Sequence, residues 1–222
     1  RGVRALVIAC NTATAAAARE LRERLALPIV GIEPAVKPAA QATRSGIVGI
    51  LATASTLQSV RYEELLRRFG QFTRVLAQPA SGLVECVEAG DLDGPRTRAL
   101  LARYLWPLLE AGADTIVLGC THYPILRDVI QQTVGENVKL VDSGEATAEE
   151  VAALLVEKGL ANPNEVVGKR ELCDDLDHFY VTDAADRFGR VAERFLGTKP
   201  SKEAVEDRKS TRLNSSHANV SR

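Results

Sequence analysis

Apolar and polar positions alternate along the chain between short continuous apolar runs and longer stretches with helical spacing. The first run, 5–9, reads Ala-Leu-Val-Ile-Ala and leads into an Ala-rich helix over 13–25, with Arg and Glu on one side and Pro28 beyond its end. A strand follows at 29–32. Glu33-Pro34-Ala35-Val36-Lys37-Pro38 then opens a helix in which Pro34 takes a tolerated first-turn position. The buried run 47–51 predicts the next strand, and Ser55 or Thr56 is expected to cap a helix running to about Phe69. A strand over 73–77 and a short helix over 83–89, stopped by Gly90, come next. The turn 91–95 precedes a long helix to about Ala111, which Pro107 should kink. The run 115–118 leads into a helix from Ile125 to about Val134. It is followed by a strand at 138–141 and a helix over 146–158. The span 162–175 is polar and loop-like, and a last strand (178–182) and helix (186–196) complete the series.

Continuous Val/Ile/Leu runs alternating with helices predict an α/β fold with parallel sheets covered by helices on both faces. Ligands in such folds bind at the carboxyl ends of the strands, beside helix N-termini. The length, 222 residues, allows one large domain or two small ones. A hydrophobic share of 45% beside 26% charged residues fits a soluble protein with a real core. The formal net charge of -1 gives no basic excess for a nucleic-acid partner. No apolar run approaches the roughly 20 residues of a membrane helix, so no membrane partner is expected. No Gly-x-Gly-x-x-Gly or Walker-type loop supports nucleotide binding. The chain starts at Arg1 without Met and enters a strand at once, which predicts missing upstream sequence. From Arg208 onward hydrophobic periodicity is absent, which predicts a disordered tail or a cloning or assembly scar.

Four cysteines, Cys10, Cys86, Cys120 and Cys173, lie far apart without a Cys-x-x-Cys pair, so a disulfide scaffold or structural zinc site is not expected and a reducing, cytoplasmic setting fits. Two of them share a setting. Ala9-Cys10-Asn11-Thr12-Ala13-Thr14 and Gly119-Cys120-Thr121-His122-Tyr123-Pro124 both join an apolar strand to a helical pattern. A thiol beside outward-pointing helix N–H groups is expected to titrate below its usual value of about 8.5. A lone cysteine is most often a small hydrophobe, and Cys86 and Cys173 are read that way. Two in matched settings weigh against it. Cys120 with His122 would suit nucleophilic catalysis but leaves Cys10 without a role. A metal held by Cys10, Cys120 and His122 fits no common ligand spacing. A redox disulfide needs Cα atoms within about 7 Å. Two thiols on opposite faces of a small substrate would racemise it without a cofactor.

On these motifs the chain resembles glutamate racemases of the cofactor-independent aspartate/glutamate racemase superfamily. Val30-Gly31-Ile32-Glu33-Pro34, Gly49-Ile50-Leu51-Ala52-Thr53, Gly82-Leu83-Val84-Glu85 and Phe179-Tyr180-Val181-Thr182-Asp183 support the likeness. The resemblance implies two facing parallel-sheet α/β domains with the active site in the cleft between them. Residues 1–33 with 142–197 would form the first and 34–141 the second, leaving 198–222 as the tail. It implies Cys10 and Cys120 as the acid/base pair that interconverts L- and D-glutamate for peptidoglycan. Asn11, Thr12, Thr121 and His122 would contact substrate. His122 would also tune or protonate Cys120, although a hydrogen-bonded loop histidine is its plain reading. Glu88 matches an assisting carboxylate, with Glu85 as a rival in the alignment and a solvated helix face as the plain reading. No cofactor and no metal are implied, the partner is the small-molecule substrate, and a homodimer is compatible. Sister activities on aspartate, hydantoins or maleate, or a catalytically silent fragment or protein-binding module, are the alternatives. The Asp-Ser-Gly-type and Tyr-Gly motifs of the family's N-terminal portion have no counterpart here. This chain is therefore expected to be poorly stable and nearly inactive.

Overall fold

In a computed structural model the described residues are 2–70, 73–161, 178–181, 185–196 and 205–207. The chain forms two compact units, Arg1–Ala161 and Asn162–Arg222. In the first, β1 (Leu6–Ile8), α1 (Asn11–Arg24) and β2 (Ile29–Gly31) are followed by α2 (Val36–Ala42) and β3 (Ile47–Ala52). Then come α3 (Ala54–Leu57), α4 (Val60–Phe69), β4 (Arg74–Pro79), α5 (Leu83–Ala89), α6 (Pro95–Glu110) and β5 (Thr115–Leu118). A 3-10 turn (Tyr123–Leu126), α7 (Arg127–Val134), β6 (Lys139–Asp142) and α8 (Ser143–Glu157) complete it. In the second unit β7 (Phe179–Val181), α9 (Ala185–Leu196) and β8 (Val205–Asp207) form a small βαβ arrangement.

The α/β class with parallel sheets is as the alternation predicts. β1 pairs parallel with β2, and a four-stranded parallel sheet runs in the order β4-β3-β5-β6. That order places a topological switch point between β3 and β5, where the first crossover leaves one way and the later ones return the other. Successive side chains of a strand point to opposite faces, and both faces of this sheet are dry. Leu51, Ile116 and Leu118 pack on one side with Leu83, Leu105 and Ile130. Val48, Ile50 and Val117 pack on the other with Val36, Ala39 and Leu65. Each such aliphatic side chain contributes about 1.5–3 kcal/mol by leaving water. The β1-β2 sheet is thinner: Val7 is 42% exposed, and α8 buries only Ser143 and Thr147.

At the amino end of β5, Asp114 accepts hydrogen bonds from Thr43 Oγ1, from the Arg44 and Ser45 N–H groups at 2.7 Å each, and from Thr115 Oγ1 at 3.1 Å. It ties the loop before β3 to the start of β5. Burial works to raise its pKa, but these donors prevail and hold it well below the usual carboxylate range.

Several boundaries differ from expectation. Pro34 lies before α2 rather than in its first turn, and its carbonyl accepts from Val36 N–H at 2.7 Å. The helix expected to reach Phe69 is two helices, because Thr53 caps α3 and Ser59 caps α4, each through a side-chain oxygen. The helix after Cys120 starts at Arg127, behind the 3-10 turn. α8 begins earlier than predicted because Asp142 accepts from Gly144 N–H at 2.6 Å as its cap. Val205–Asp207, inside the stretch assigned as tail, pairs in parallel with Phe179–Val181. The predicted loop 162–175, Cys173 and the stretch from 208 lie outside the described residues.

Candidate active site

Cys10 and Cys120 each stand two residues beyond the last residue of a parallel strand. Cys10 is the N-cap of α1, with extended backbone (φ -143°, ψ 126°), and its carbonyl accepts from Thr14 N–H at 2.8 Å. α1 packs close on the small sheet. Thr14 Oγ1 donates to Ile8 O at 3.1 Å, and a Cβ at Gly31 would lie 2.5 Å from Thr14 Cγ2, so only glycine fits there. Cys120 follows Gly119, whose N–H donates to Leu51 O at 2.8 Å. A Cβ on Gly119 would sit 2.7 Å from that same oxygen, so glycine is required for β5 to leave the sheet pressed against β3.

The structure brings the two turns together. Asn11, 5% exposed, donates from Nδ2 to Gly119 O at 2.9 Å. Thr12 Oγ1 lies 3.1 Å from Thr53 Oγ1 and 3.3 Å from Thr56 Oγ1, and those two are 3.0 Å apart. The three hydroxyls close a ring at the carboxyl end of β3 and the start of α3. Thr53 and Thr56 were not among the predicted site residues. The available signals are Thr53 at the end of a buried strand that supports the family likeness and Thr56 as a candidate helix cap, neither of which by itself points to a site.

On the Cys120 side, His122 Nδ1 lies 3.8 Å from Cys120 Sγ, and His122 Nε2 lies 2.9 Å from Glu88 Oε1. Glu88 is half-buried on α5, whereas Glu85 points to solvent. Glu88, not Glu85, therefore reaches the histidine. In a neutral imidazole that donates from Nε2 to Glu88, Nδ1 is an acceptor facing the thiol. Tyr123, fully buried next to His122, donates to Ala80 O at 3.1 Å and fixes this turn against the loop before α5.

The Cys120 thiol does not titrate low, as the helix-start argument predicted. Burial pushes it up, the His122 backbone N–H pulls the other way, and negative charge on Cys10 pushes it up again. α7 begins only at Arg127, behind the 3-10 turn, and the backbone N–H that acts on this thiol, that of His122, is outweighed by burial. Thr121 is half-buried and, with Cys120, lines a cavity of about 170 Å³ that also touches Ile32, Asp142 and Ser143 but not Cys10. A larger hollow, about 380 Å³, lies away from both thiols between α2, α4 and α8. Cys86 is buried on α5, as a packing residue should be. Among the described residues no group of three or more His, Cys, Asp and Glu could hold a metal ion, and no helix is long and apolar enough to cross a membrane.

Parallel α/β sheets with paired cysteines at strand ends define a class of fold and site. Comparison with known proteins gives it a family. The profile of the Asp/Glu/Hydantoin racemase family matches residues 1–151. The chain belongs to that family. It is 58% identical over 156 residues to the glutamate racemase of Ectopseudomonas mendocina, covering 70% of this chain and 59% of the relative. It is 52% identical over 171 residues to that of Pseudomonas paraeruginosa, covering 77% and 64%. The chain thus spans about three fifths of the length of these curated relatives. Among solved structures, glutamate racemase isoform RacE1 from Bacillus anthracis matches with a TM-score of 0.76 at 34% identity, over 92% of this chain and 73% of that one.

Proposed function

We propose that the chain carries the catalytic frame of a glutamate racemase, in which Cys10 and Cys120 work as acid and base on opposite faces of the substrate Cα. The carrying observation is the buried contact from Asn11, next to one thiol, to Gly119, next to the other. Racemisation by two bases requires one thiolate and one thiol at the same moment. Negative charge on Cys10 works to raise the Cys120 pKa, so once one thiol is ionised the other is held protonated. The thiolate removes the α-proton, the opposite thiol delivers one, and the roles are then reversed. Glu88 and His122 restore the Cys120 proton. The half-buried Thr12 and Thr53 hydroxyls, held in the ring they close with buried Thr56, border the substrate carboxylate beside the start of α1, where helix N–H groups oppose its growing charge. Thr121 borders the substrate from the Cys120 side.

The names of the relatives favour glutamate over aspartate or hydantoins. In this reading the chain's crossings near Glu33 and Asp142 bound two lobes, each giving one cysteine. The product is D-glutamate for peptidoglycan in the cytoplasm. The test is incubation of this chain with L- and D-glutamate, aspartate and a hydantoin in deuterium oxide, followed by chiral analysis. The reading expects inversion and Cα deuterium with both glutamate antipodes, slowly, because the Asp-Ser-Gly-type and Tyr-Gly motifs have no counterpart in this chain. Exchange with aspartate or hydantoin alone assigns the sister activity, and no exchange with any substrate assigns a silent chain.

A further inference from the structure

We propose a second activity for the Cys120 turn: transfer of an acyl group to water from small neutral esters and thioesters, with Cys120 as nucleophile and His122 as its base. It goes beyond racemisation and rests only on the Cys120 half of that reading, because Cys10 takes no part.

A nucleophile of this kind needs a base within hydrogen-bond reach and a third group that orients the base. Cys120 Sγ lies 3.8 Å from His122 Nδ1, and Glu88 Oε1 lies 2.9 Å from His122 Nε2. The carboxylate selects the tautomer with its proton on Nε2, which presents the Nδ1 lone pair to the thiol. The turn that carries them is firmly held. Tyr123 N–H donates to Cys120 O at 3.0 Å, and the buried Tyr123 hydroxyl is tied to Ala80 O. Burial favours the Cys120 thiol over its thiolate, so a base is needed at the moment of attack. Cys10 has no comparable partner: among the described residues its thiol makes no hydrogen bond.

Two further features suit acyl chemistry. The N–H groups of Cys120 and Thr121 donate to no described residue, which leaves them for the oxyanion that forms beside the sulfur. The cavity of about 170 Å³ lined by Cys120 and Thr121 has room for an acetyl-sized group. Asp142 lines it as well, so a neutral acyl group suits it better than an anionic one.

The steps balance with water as the only co-reactant. As Sγ bonds to the carbonyl carbon, its proton passes to His122 Nδ1. The bond from that carbon to the leaving oxygen or sulfur breaks, and the leaving group takes the proton. Water then attacks the thioester and gives a proton to His122. The carbon–Sγ bond breaks, and that proton returns to the thiol.

p-Nitrophenyl acetate tests this on the 222-residue chain. The proposal expects a burst of about one p-nitrophenolate per chain, then slower steady release, with the acetyl group placed on Cys120 by peptide mass. Cys10→Ser should lose racemisation and still be acetylated on Cys120. His122→Gly should slow the burst about 10²-fold, and free imidazole should restore part of it. Acetylation elsewhere with Cys120 unlabelled, a parent-like burst from His122→Gly, or no rescue by imidazole overturns the proposal. If His122→Gly loses its far-UV circular dichroism, His122→Gln takes its place, and a burst within threefold of the parent then overturns it. Racemisation without acetylation of Cys120 defeats this proposal alone, whereas acetylation without racemisation defeats the thiol pairing alone.

Discussion

Cys10 and Cys120 leave their strands by the same two-residue step, yet the protein holds them in different ways. Cys10 caps a 14-residue helix directly and belongs to a two-stranded sheet whose outer strand is partly open to water. Cys120 follows β5, an interior strand buried at every position, and passes through a 3-10 turn before any α-helix starts. One thiol has a helix end behind it and little packing. The other has a packed core, a histidine and a carboxylate, and no helix end. Matched sequence settings have thus produced unlike surroundings, and the shared work falls to the ties between them, through Asn11 and the threonine ring.

The comparison can be broken most sharply by removing either thiol. Cys10→Ser and Cys120→Ser should each lower racemisation by about 10²–10⁴-fold, as expected for loss of a general acid/base. A variant that keeps a tenth of the parent rate would show that its side is dispensable.

Glu88→Gln should act on one side alone. The enantiomers have equal free energy, so kcat/KM must fall equally in both directions, by about tenfold for a group supporting an acid/base residue. The asymmetry should instead appear in the primary deuterium isotope effect, enlarged only for the antipode deprotonated by Cys120. Equal enlargement for both antipodes would remove Glu88 from the Cys120 side.

Asp114→Asn probes the firmer side by loosening the foot of β5. Loss of a carboxylate holding four donors should cost about 1–3 kcal/mol, read by urea unfolding near neutral pH. The Asp114 pKa is depressed in the folded protein. Its stabilising contribution is therefore present above the unfolded value near 3.9 and fades as pH falls towards the folded one. The substitution should flatten the acid limb of stability, and an unchanged limb would show that Asp114 does not carry it.

The mildest effect is on titration. Iodoacetamide labelling of Cys120 against pH should have its midpoint above the value of about 8.5 for a free thiol, because burial raises it. A midpoint below that value would restore the helix-start argument for this cysteine. By the same linkage, the proton held by Cys120 adds stability that is complete below the unfolded thiol pKa and is lost as pH rises through the folded one.

Much of the fold could be read from periodicity. The α5 bounds, 83–89, agree to the residue, since Gly82 and Gly90 both adopt left-handed backbone at its ends. The interior strands β3 and β5 follow expectation because burial on two faces demands continuous apolar runs, whereas the edge strands β4 and β6, with Arg74 and Lys139 exposed, are displaced by one or two residues. The split between α3 and α4 was missed because Thr53 and Ser59 both cap, and spacing does not say how many oxygens in a Ser/Thr-rich stretch will do so. The late start of α7 was missed because Pro124 is equally at home in a 3-10 turn.

Within the site, the two cysteines, Asn11 and His122 were visible as motifs. The choice of Glu88 over Glu85 was not, because it depends on which face of α5 meets residue 122, set by the docking of that helix. Thr53 and Thr56 were hidden for the same reason, being brought to Thr12 across more than forty positions of chain.

The central claim is that the two thiols serve opposite faces of one substrate. It is tested most directly with glutamate bearing a good leaving group on the β-carbon, which is eliminated after deprotonation from one face alone. The account predicts that Cys10→Ser eliminates from one antipode only and Cys120→Ser from the other. Equal loss of elimination from both antipodes in either variant would contradict it.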